Sequence, residues 1–270
     1  LSLDNEIFGK CNPKSSSGRL DIFCRTIVDY SDEYEKIPHG YNGEIFLEIT
    51  SRSFDIEFKE GNKLNQVRLI YKKHNEVNDK KIIIKNKSFF NKKFLNNNNL
   101  NNGLKISVNL KGPNKIIAYR AKKKSPPIDF NKINFYNPNN YWEAIKSFNN
   151  RLLIEKNRFY ILKSKEKVLI PSGYAGEMVP YDTGIGDFRA HYAGFFDPGF
   201  GVKGGSYAVL EVKTSEIPFI LEDGQTIARI KYEKLNKNSK MLYGTKIKSN
   251  YQFQNLNLSK HFKKNIRWKK

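Results

Sequence analysis

Short stretches of alternating apolar and polar residues, bounded by turn residues, recur along the chain and predict a mainly β protein. The predicted strands are 44–49, 54–58, 67–71, 81–84, 104–110, 115–120, 159–162, 167–170, 208–212, 218–221 and 226–232. One segment differs, because Trp142, Ile145, Phe148 and Leu152 follow one another at a helical spacing. This spacing predicts a short helix just after the Asn-Pro-Asn-Asn cluster that ends at Asn140.

The domain organisation is indicated by a linker, Lys-Lys-Lys-Ser-Pro-Pro, at residues 122–127. Consecutive prolines after a charge run are typical of a connection between structural units. We therefore predict a first unit at 1–125, the helix with a second β unit at 126–235, and a polar tail at 236–270.

A repeat supports two related units. Glu48 lies in an apolar strand and is followed by Gly61, whereas Glu211 lies in a second apolar strand and is followed by Gly224. The separation in sequence is the same in both pairs, which suggests one supersecondary unit used twice. A carboxylate in an apolar strand costs free energy unless it is hydrogen-bonded or used. The two glutamates are therefore the first candidates for chemistry.

The net charge of +21 raises the possibility of nucleic-acid binding. Lysine and asparagine are, however, enriched throughout the chain, and aromatic residues do not alternate with them as a base-stacking surface would require. We expect no dedicated nucleic-acid site, although the positive field would attract a small polyanion.

No apolar run reaches the roughly 18 to 20 residues that span a bilayer, and no signal peptide is present. We expect a cytoplasmic protein that begins inside a longer sequence.

Several families are excluded by missing motifs. The two cysteines, Cys11 and Cys24, lack metal-ligand spacing and cannot form a disulfide framework. The chain has no His-x-Glu with Pro-Cys-x-x-Cys, which excludes a zinc-dependent nucleobase deaminase. It also has no phosphate-binding P-loop and no Gly-x-Ser-x-Gly nucleophile motif.

A candidate anion site lies at Lys14-Ser15-Ser16-Ser17-Gly18-Arg19. Hydroxyl groups, backbone N–H groups and a guanidinium suit phosphate oxygens. A serine-rich turn before a strand is the structural alternative.

Glu211 has two interpretations as well. In a strand, Val209 and Glu211 share one face. If the opposite face packs against the core, the Glu211 side chain would point into a cleft. Alternatively, it is a surface glutamate that pairs with lysine.

These motifs resemble the dCTP deaminase branch of the dUTPase-like superfamily. The first half carries Ser-Ser-Ser-Gly-Arg-Leu from Ser15, a Leu-Glu strand and Gly-Asn-Lys-Leu-Asn-Gln from Gly61. The second half carries Glu-Met-Val-Pro-Tyr-Asp, His-Tyr-Ala-Gly-Phe-Phe-Asp-Pro-Gly-Phe and Ala-Val-Leu-Glu-Val. Ser-Asn-Tyr-Gln-Phe-Gln and Leu-Ser-Lys-His-Phe follow near the end. The chain is similar to the long bacterial form of the family, in which two units are fused in tandem.

The resemblance implies distorted β-barrel or jelly-roll-like units, active sites between units, a homo-oligomer and a C-terminal tail that closes over the nucleotide. It also reveals an asymmetry. The first repeat has Pro38-His39-Gly40 where the family has Asp-Pro-Gly, and the second has residues 181–186 where the family has Ser-Ser-x-Gly-Arg. We infer one composite site per chain, with the complementary site around Glu48 degenerate.

The resemblance also implies a role for each matching residue. Glu211 would be the proton donor and acceptor, while Ser15 and Arg19 would orient water and the pyrimidine. The implied substrate-binding residues are Lys14, Ser16, Ala193, Asp197, Val209, Leu210, Tyr243, Asn250 and Gln254. Asn250 stands where some relatives have lysine, so one phosphate-binding cation is missing there.

The implied reaction is hydrolytic deamination of dCTP to dUTP and ammonia without a metal at the base and without zinc. Mg²⁺ would accompany the triphosphate, because Mg²⁺ usually binds phosphate oxygens and waters. The substrate would be dCTP, with dTTP as a possible inhibitor. The alternatives are a dUTP diphosphatase or a bifunctional enzyme that makes dUMP from dCTP, a non-catalytic nucleotide-binding regulator, and a basic nucleic-acid binder.

Overall fold

The computed structural model describes residues 1–71, 103–112, 115–180, 188–191, 194–202, 204–214, 217–245, 249–264 and 266–268, with backbone only at 188–191. The strands of these residues are β1 (Ile7–Pro13), β2 (Ile22–Ile27), β3 (Lys36–Ile37), β4 (Phe46–Ser51), β5 (Ile56–Glu57), β6 (Asn65–Tyr71), β7 (Leu104–Ser107), β8 (Ile116–Ala121), β9 (Ile128–Asp129), β10 (Trp142–Lys146), β11 (Arg151–Ile154), β12 (Phe159–Val168), β13 (Tyr174–Pro180), β14 (Phe188–His191), β15 (Phe195–Phe196), β16 (Ser206–Thr214), β17 (Phe219–Glu222) and β18 (Thr226–Lys234). A single-turn helix, α1 (Ser15–Gly18), follows β1, and a 3-10 turn covers Pro138–Asn140. The predicted mainly β class is confirmed.

The chain divides into two compact units, and both are discontinuous in sequence. Unit 1 contains Leu1–Asn75, Lys122–Tyr141 and Ser259–Lys270, and unit 2 contains Glu76–Ala121 and Trp142–Leu258. This division differs from the continuous ranges 1–125, 126–235 and 236–270 that the sequence suggested. The predicted linker begins a segment that belongs to unit 1, and the end of the chain belongs there too.

Unit 1 is built from small sheets, two of them antiparallel and one parallel. Strand β1 pairs with β3 and β6, and β2 pairs with β4. Strand β9 of the returning segment pairs with β5 in parallel. The segment is therefore part of the unit's hydrogen bonding. Rings of the same segment and of the C-terminus pack together, since the Tyr141 ring lies 5.4 Å from that of Tyr136 and 5.3 Å from that of Phe262.

Unit 2 contains a five-stranded sheet, β10-β8-β12-β16-β14, and a four-stranded sheet, β15-β13-β18-β7, together with the β11-β17 ribbon. One apolar cluster contains side chains from both larger sheets. Ala208, Leu210 and Val212 of β16 belong to this cluster and are fully buried. Alternate residues of a strand point to opposite faces, so Val209 and Glu211 lie on the face of β16 away from this core.

The predicted helix at 142–152 is wrong. Trp142–Lys146 forms β10 and Arg151–Ile154 forms β11. Between them, Asn149 and Asn150 have φ angles of 50° and 57°. Two consecutive residues at positive φ make a tight hairpin turn, and asparagine tolerates this conformation. The helical spacing of the apolar residues was therefore accidental, because the Asn-Asn pair breaks any helix at this point.

The other predicted strands agree with the structure where it describes them, with shifted boundaries. The two segments predicted at 159–162 and 167–170 lie largely on the long strand β12, whose pairing with β16 is irregular between Lys163 and Lys167. The predicted strand at 81–84 lies outside the described residues. Tandem units and a closing tail remain predictions. In the described part of the chain, no helix has the length and apolarity to cross a membrane.

Candidate active site

The serine-rich segment of unit 1 forms the single-turn helix α1, which is tied to a distant loop. Lys14 precedes it in extended conformation, and its carbonyl accepts hydrogen bonds from the N–H groups of Ser17 and Gly18. The Lys14 N–H and the Ser17 hydroxyl both donate to the Leu64 carbonyl, over 2.9 and 2.8 Å. These bonds fix the position of the turn.

The predicted residues of this turn differ in exposure. Ser15 is exposed and Lys14 half-buried, whereas Ser16 and Arg19 are buried. The structure thus brings Lys14, Ser15, Ser16 and Arg19 together on one turn. Ser15 and Lys14 are accessible to a ligand, and Arg19 lies within unit 1.

The C-terminal segment of the chain packs against this turn, which the sequence did not predict. The buried Ser259 hydroxyl donates to the Ser16 carbonyl over 3.0 Å and also lies 2.9 Å from His261 Nδ1. His261 Nε2 lies 3.0 Å from the Phe130 carbonyl, and the ring is fully buried. Burial, and to a smaller extent the charge of Lys260, lowers the pKa of His261 to about 4. The segment is therefore anchored by a neutral imidazole at physiological pH.

In unit 2, Glu211 occupies the middle of β16 and is only 6% exposed. In the sheet register it is paired with Ile161 of β12 on one side and with His191 of β14 on the other. The pairing of β14 with β16 ends at His191 and Glu211 in the described residues. Val209 and Leu210 directly precede Glu211 on β16, so their backbone groups remain candidates for contacts to a ligand.

The Asp197-Pro198-Gly199 turn of unit 2 is fastened to the C-terminal tail. Asp197 is exposed, and Gly199 has a φ of 93° and would collide with Leu242 if it carried a Cβ atom, at 2.8 Å. Glycine is therefore required at this position. The Tyr243 N–H donates to the Pro198 carbonyl over 2.8 Å. Tyr243 is thus placed beside the turn.

Glutamine side chains hold the tail of unit 2 in place. The Gln252 amide donates to the Gly199 and Tyr243 carbonyls and accepts from the Gly201 N–H. Gln254 is buried, and its amide donates to the Tyr207 carbonyl over 2.9 Å. Tyr243 and Gln254 are therefore both positioned against unit 2. Asn250 is exposed, and the predicted site residue Ala193 lies outside the described residues, as does the 181–186 segment.

Glu48 has the same local setting as Glu211 but a different environment. It lies on β4, and the glycines that follow the two glutamates, Gly61 and Gly224, both have positive φ. The Glu48 side chain is 46% exposed, and it lies 3.9 Å from the Arg25 guanidinium. An exposed ion pair of this length contributes little. Glu48 therefore fits the surface interpretation, and Glu211 does not.

Neither a metal cluster nor a surface cavity of unit 2 adds a residue to the candidate site. Within the described ranges, no three His, Cys, Asp or Glu side chains are grouped as metal ligands. A surface cavity of about 360 Å³ in unit 2 is lined by residues including Arg120, Tyr160 and Leu152, but by no predicted site residue. Arg120 there is paired with Glu143 and Glu155. Its charge is already balanced, so we do not assign the cavity to the substrate.

Two features of the site were missed by sequence reasoning. His191 was noted only as the first residue of the family motif His-Tyr-Ala-Gly-Phe-Phe-Asp-Pro-Gly-Phe, and Ser259, Lys260 and His261 only as part of Leu-Ser-Lys-His-Phe. The register of β14 and the fold of the C-terminal segment place them next to predicted residues. Sequence offers no signal for either relation, because both depend on pairing between distant segments.

The chain matches protein-family models along most of its length. Residues 1–73 match the 2'-deoxycytidine 5'-triphosphate deaminase (DCD) N-terminal domain, and residues 72–262 match the C-terminal domain of the same family. Among curated proteins, none matches significantly. A solved structure, that of 2'-deoxycytidine 5'-triphosphate deaminase from Agrobacterium tumefaciens, superposes with a TM-score of 0.79 at 38% sequence identity. The match covers 89% of this chain and 72% of that chain. The chain therefore belongs to the 2'-deoxycytidine 5'-triphosphate deaminase family.

Proposed function

We propose that this chain hydrolyses dCTP to dUTP and ammonia, the reaction of its family, and that Glu211 moves the protons in this reaction. The observation that carries the assignment of Glu211 is its burial on β16, on the face away from the apolar core. A carboxylate at such a position is costly unless it is used or hydrogen-bonded. Glu48, its counterpart in unit 1, is exposed and does not bear this cost.

The reaction adds water at cytosine C4 and expels the exocyclic amine. Glu211 accepts a proton as the water oxygen attacks C4, and the electrons of the C4–N3 double bond move to N3. It then delivers this proton to the exocyclic nitrogen, so that the C4–N bond breaks and ammonia departs. The proton that remains on the C4 oxygen moves to N3, which leaves the carbonyl of uracil. One carboxylate that alternates between its two protonation states serves both steps. General acid–base catalysis of this type contributes roughly 10² to 10⁴ in rate.

The base is proposed to lie beside Glu211 of β16. Backbone groups of Val209 and Leu210, which directly precede Glu211 on this strand, would contact its edge there. Asp197 would contact the deoxyribose from its exposed turn. Ala193 would lie above the base, and Tyr243 would contact the nucleotide. The buried amide of Gln254 is engaged with the Tyr207 carbonyl, so we assign Gln254 to positioning the tail.

The phosphates are proposed to bind at the turn of unit 1. Lys14 and Ser16 would contact the triphosphate, and Ser15 and Arg19 would orient the attacking water and the pyrimidine. The polar side chains of this turn are hydroxyls and cations, which suit phosphate oxygens. We propose that Mg²⁺ arrives bound to the triphosphate. Asn250, which is exposed, supplies no cation to this group.

We also propose that the protein acts in the cytoplasm, that it forms a homo-oligomer and that dTTP inhibits it. Apolar side chains on two strands of unit 1 support the assembly, because Phe46, Leu47 and Ile49 of β4 and Leu69 and Tyr71 of β6 are each at least 40% exposed. Exposed apolar surface of this kind commonly marks contacts between proteins.

The function is tested by incubating the protein with dCTP and separating the products. We expect dUTP and ammonia in equal amounts from the unmodified chain. Glu211→Gln keeps the shape of the side chain but cannot cycle a proton, so turnover should fall by about 10² or more while dCTP still binds. Ammonia release by Glu211→Gln at a near-normal rate would disprove its assigned role. Formation of dUMP and pyrophosphate would instead support the bifunctional alternative.

A further inference from the structure

Lys260 has no role in the proposed mechanism, yet it lies beside the proposed phosphate-binding turn. Its neighbour Ser259 donates a hydrogen bond to the Ser16 carbonyl over 3.0 Å. The Lys260 carbonyl accepts from the Asn134 N–H over 2.9 Å, and its ammonium lies 5.9 Å from the centre of the Phe130 ring. Lys260 is thus held on both sides of its backbone by buried contacts.

The position of Lys260 is set mainly by its two neighbours. Ser259 is 2% exposed and His261 is fully buried, and His261 Nε2 lies 3.0 Å from the Phe130 carbonyl. The backbone at 261 also accepts hydrogen bonds from the N–H groups of Phe135 and Tyr136. An ammonium on such a framework is preorganised, which reduces the entropy lost when a ligand binds.

Lys260 and Lys14 belong to two segments that the hydrogen bond between Ser259 and Ser16 joins. Burial lowers the pKa of Lys260, and the charge of Lys14 lowers it further. Two cations brought together in a partly dehydrated place destabilise the folded chain. A polyanion between them would offset both the repulsion and the lost hydration. The same two lysines would then contribute to affinity instead of opposing folding.

We propose that Lys260 is a further substrate-binding residue, which together with Lys14 binds the polyphosphate of the nucleotide. This inference rests on the proposed function, because it places the triphosphate at the turn that contains Lys14, Ser15 and Ser16. It assigns to the C-terminal segment of unit 1 a direct part in substrate binding.

A short polyphosphate suits this arrangement better than a nucleic acid does. Lys14 directly precedes the turn, Lys260 follows the Ser259 that is hydrogen-bonded to it, and Ser15 of the turn is exposed. A nucleic-acid strand would require a track of cations with aromatic rings that stack on bases. The ring beside Lys260, that of Phe130, is 5% exposed and therefore cannot serve as a stacking surface.

The test compares three substitutions for their effect on the binding of inorganic tripolyphosphate and of dCTP. Lys260→Met removes the charge and keeps the aliphatic stem, Lys260→Arg keeps the charge, and Lys264→Met is the control at an exposed lysine of the same segment. Binding is measured by calorimetry, with dCTP added to chains that also carry Glu211→Gln. Thermal unfolding of each variant shows whether it is folded.

We expect Lys260→Met to weaken the binding of both ligands by about tenfold, as the loss of one charge-assisted hydrogen bond predicts. Lys260→Arg and Lys264→Met should change the dissociation constants by less than about twofold. Deoxycytidine, which has no phosphate, should bind all variants equally. Unchanged tripolyphosphate binding by folded Lys260→Met, or no tripolyphosphate binding by the parent chain, would overturn the inference. Lys260-dependent tripolyphosphate binding without dCTP deamination would overturn the proposed function instead.

Discussion

The comparison of Glu48 with Glu211 shows what single residues can and cannot reveal. Both are glutamates in apolar strands, and both precede a glycine at positive φ by the same interval. Their patterns differ little, yet Glu211 is 6% exposed and the Glu48 side chain 46% exposed. The sequence therefore identified both glutamates as candidates, and their different burial showed which of them is the better candidate. The departure from the family motif at Pro38-His39 had suggested the same distinction.

We expect Glu48→Gln to leave dCTP turnover unchanged. The exposed carboxylate lies 3.9 Å from Arg25, and loss of such a pair costs less than about 1 kcal/mol. The rate of ammonia release should stay within about twofold of that of the unmodified chain, whereas Glu211→Gln serves as the matched loss-of-function control. A large drop in turnover for Glu48→Gln would show that the site around Glu48 is functional.

At the scale of elements, strand propensity was a better guide than apolar spacing. The pattern that suggested a helix at 142–152 is divided by a turn at Asn149 and Asn150. The Arg151 N–H donates to the Phe148 carbonyl over 3.0 Å, which closes a tight hairpin. The two arms then pair with different strands, β10 with β8 and β11 with β17. Apolar positions at helical spacing can thus lie on two separate strands, and one of them, Phe148, lies between the strands and is 78% exposed.

Substitution at Asn150 tests this turn. A β-branched residue is strained at a φ of 57°, so Asn150→Val should lower the free energy of unfolding of unit 2 by about 1–2 kcal/mol. Glycine adopts positive φ without a steric penalty, and Asn150→Gly should change it by less than about 0.5 kcal/mol. Urea unfolding of the two variants measures the difference. Equal stability of Asn150→Val and Asn150→Gly would contradict the turn.

At the scale of the whole molecule, the chain order does not follow the compact units. Unit 1 includes the segments 122–141 and 259–270 in addition to the start of the chain. The last segment is held by Ser259 and by His261, whose ring is fully buried. The C-terminal segment therefore packs within a unit that also contains the first residues of the sequence, and a truncation there would remove contacts to the proposed phosphate site.

Stability should fall in mild acid because of His261. Its pKa is about 4 in the folded chain and 6.5 in the unfolded reference, so the unfolded state binds more protons between these values. The stabilisation is complete above pH 6.5 and is lost as the pH falls toward 4. Between pH 7.5 and 5 this amounts to about 2 kcal/mol.

The measurement is urea unfolding of the unmodified chain and of His261→Gln at both pH values. We expect the difference in unfolding free energy between the two chains to shrink at pH 5, because the variant has no imidazole to protonate. Burial also raises the pKa values of Glu35 and Glu166, but these groups are common to both chains and cancel in the comparison. A constant difference across this range would show that His261 does not titrate as described.

Taken alone, the sequence determined the β class, the family resemblance and the identity of the candidate residues on β16 and on the Ser15 turn. These properties are local, since strand alternation, turn residues and short motifs depend on residues that are close together in the sequence. Only the tertiary structure decided which of two similar glutamates is buried, that His191 is in register with Glu211, and that Lys260 lies beside Lys14. These relations join residues far apart in sequence, and they arise from strand pairing and packing that no local pattern encodes.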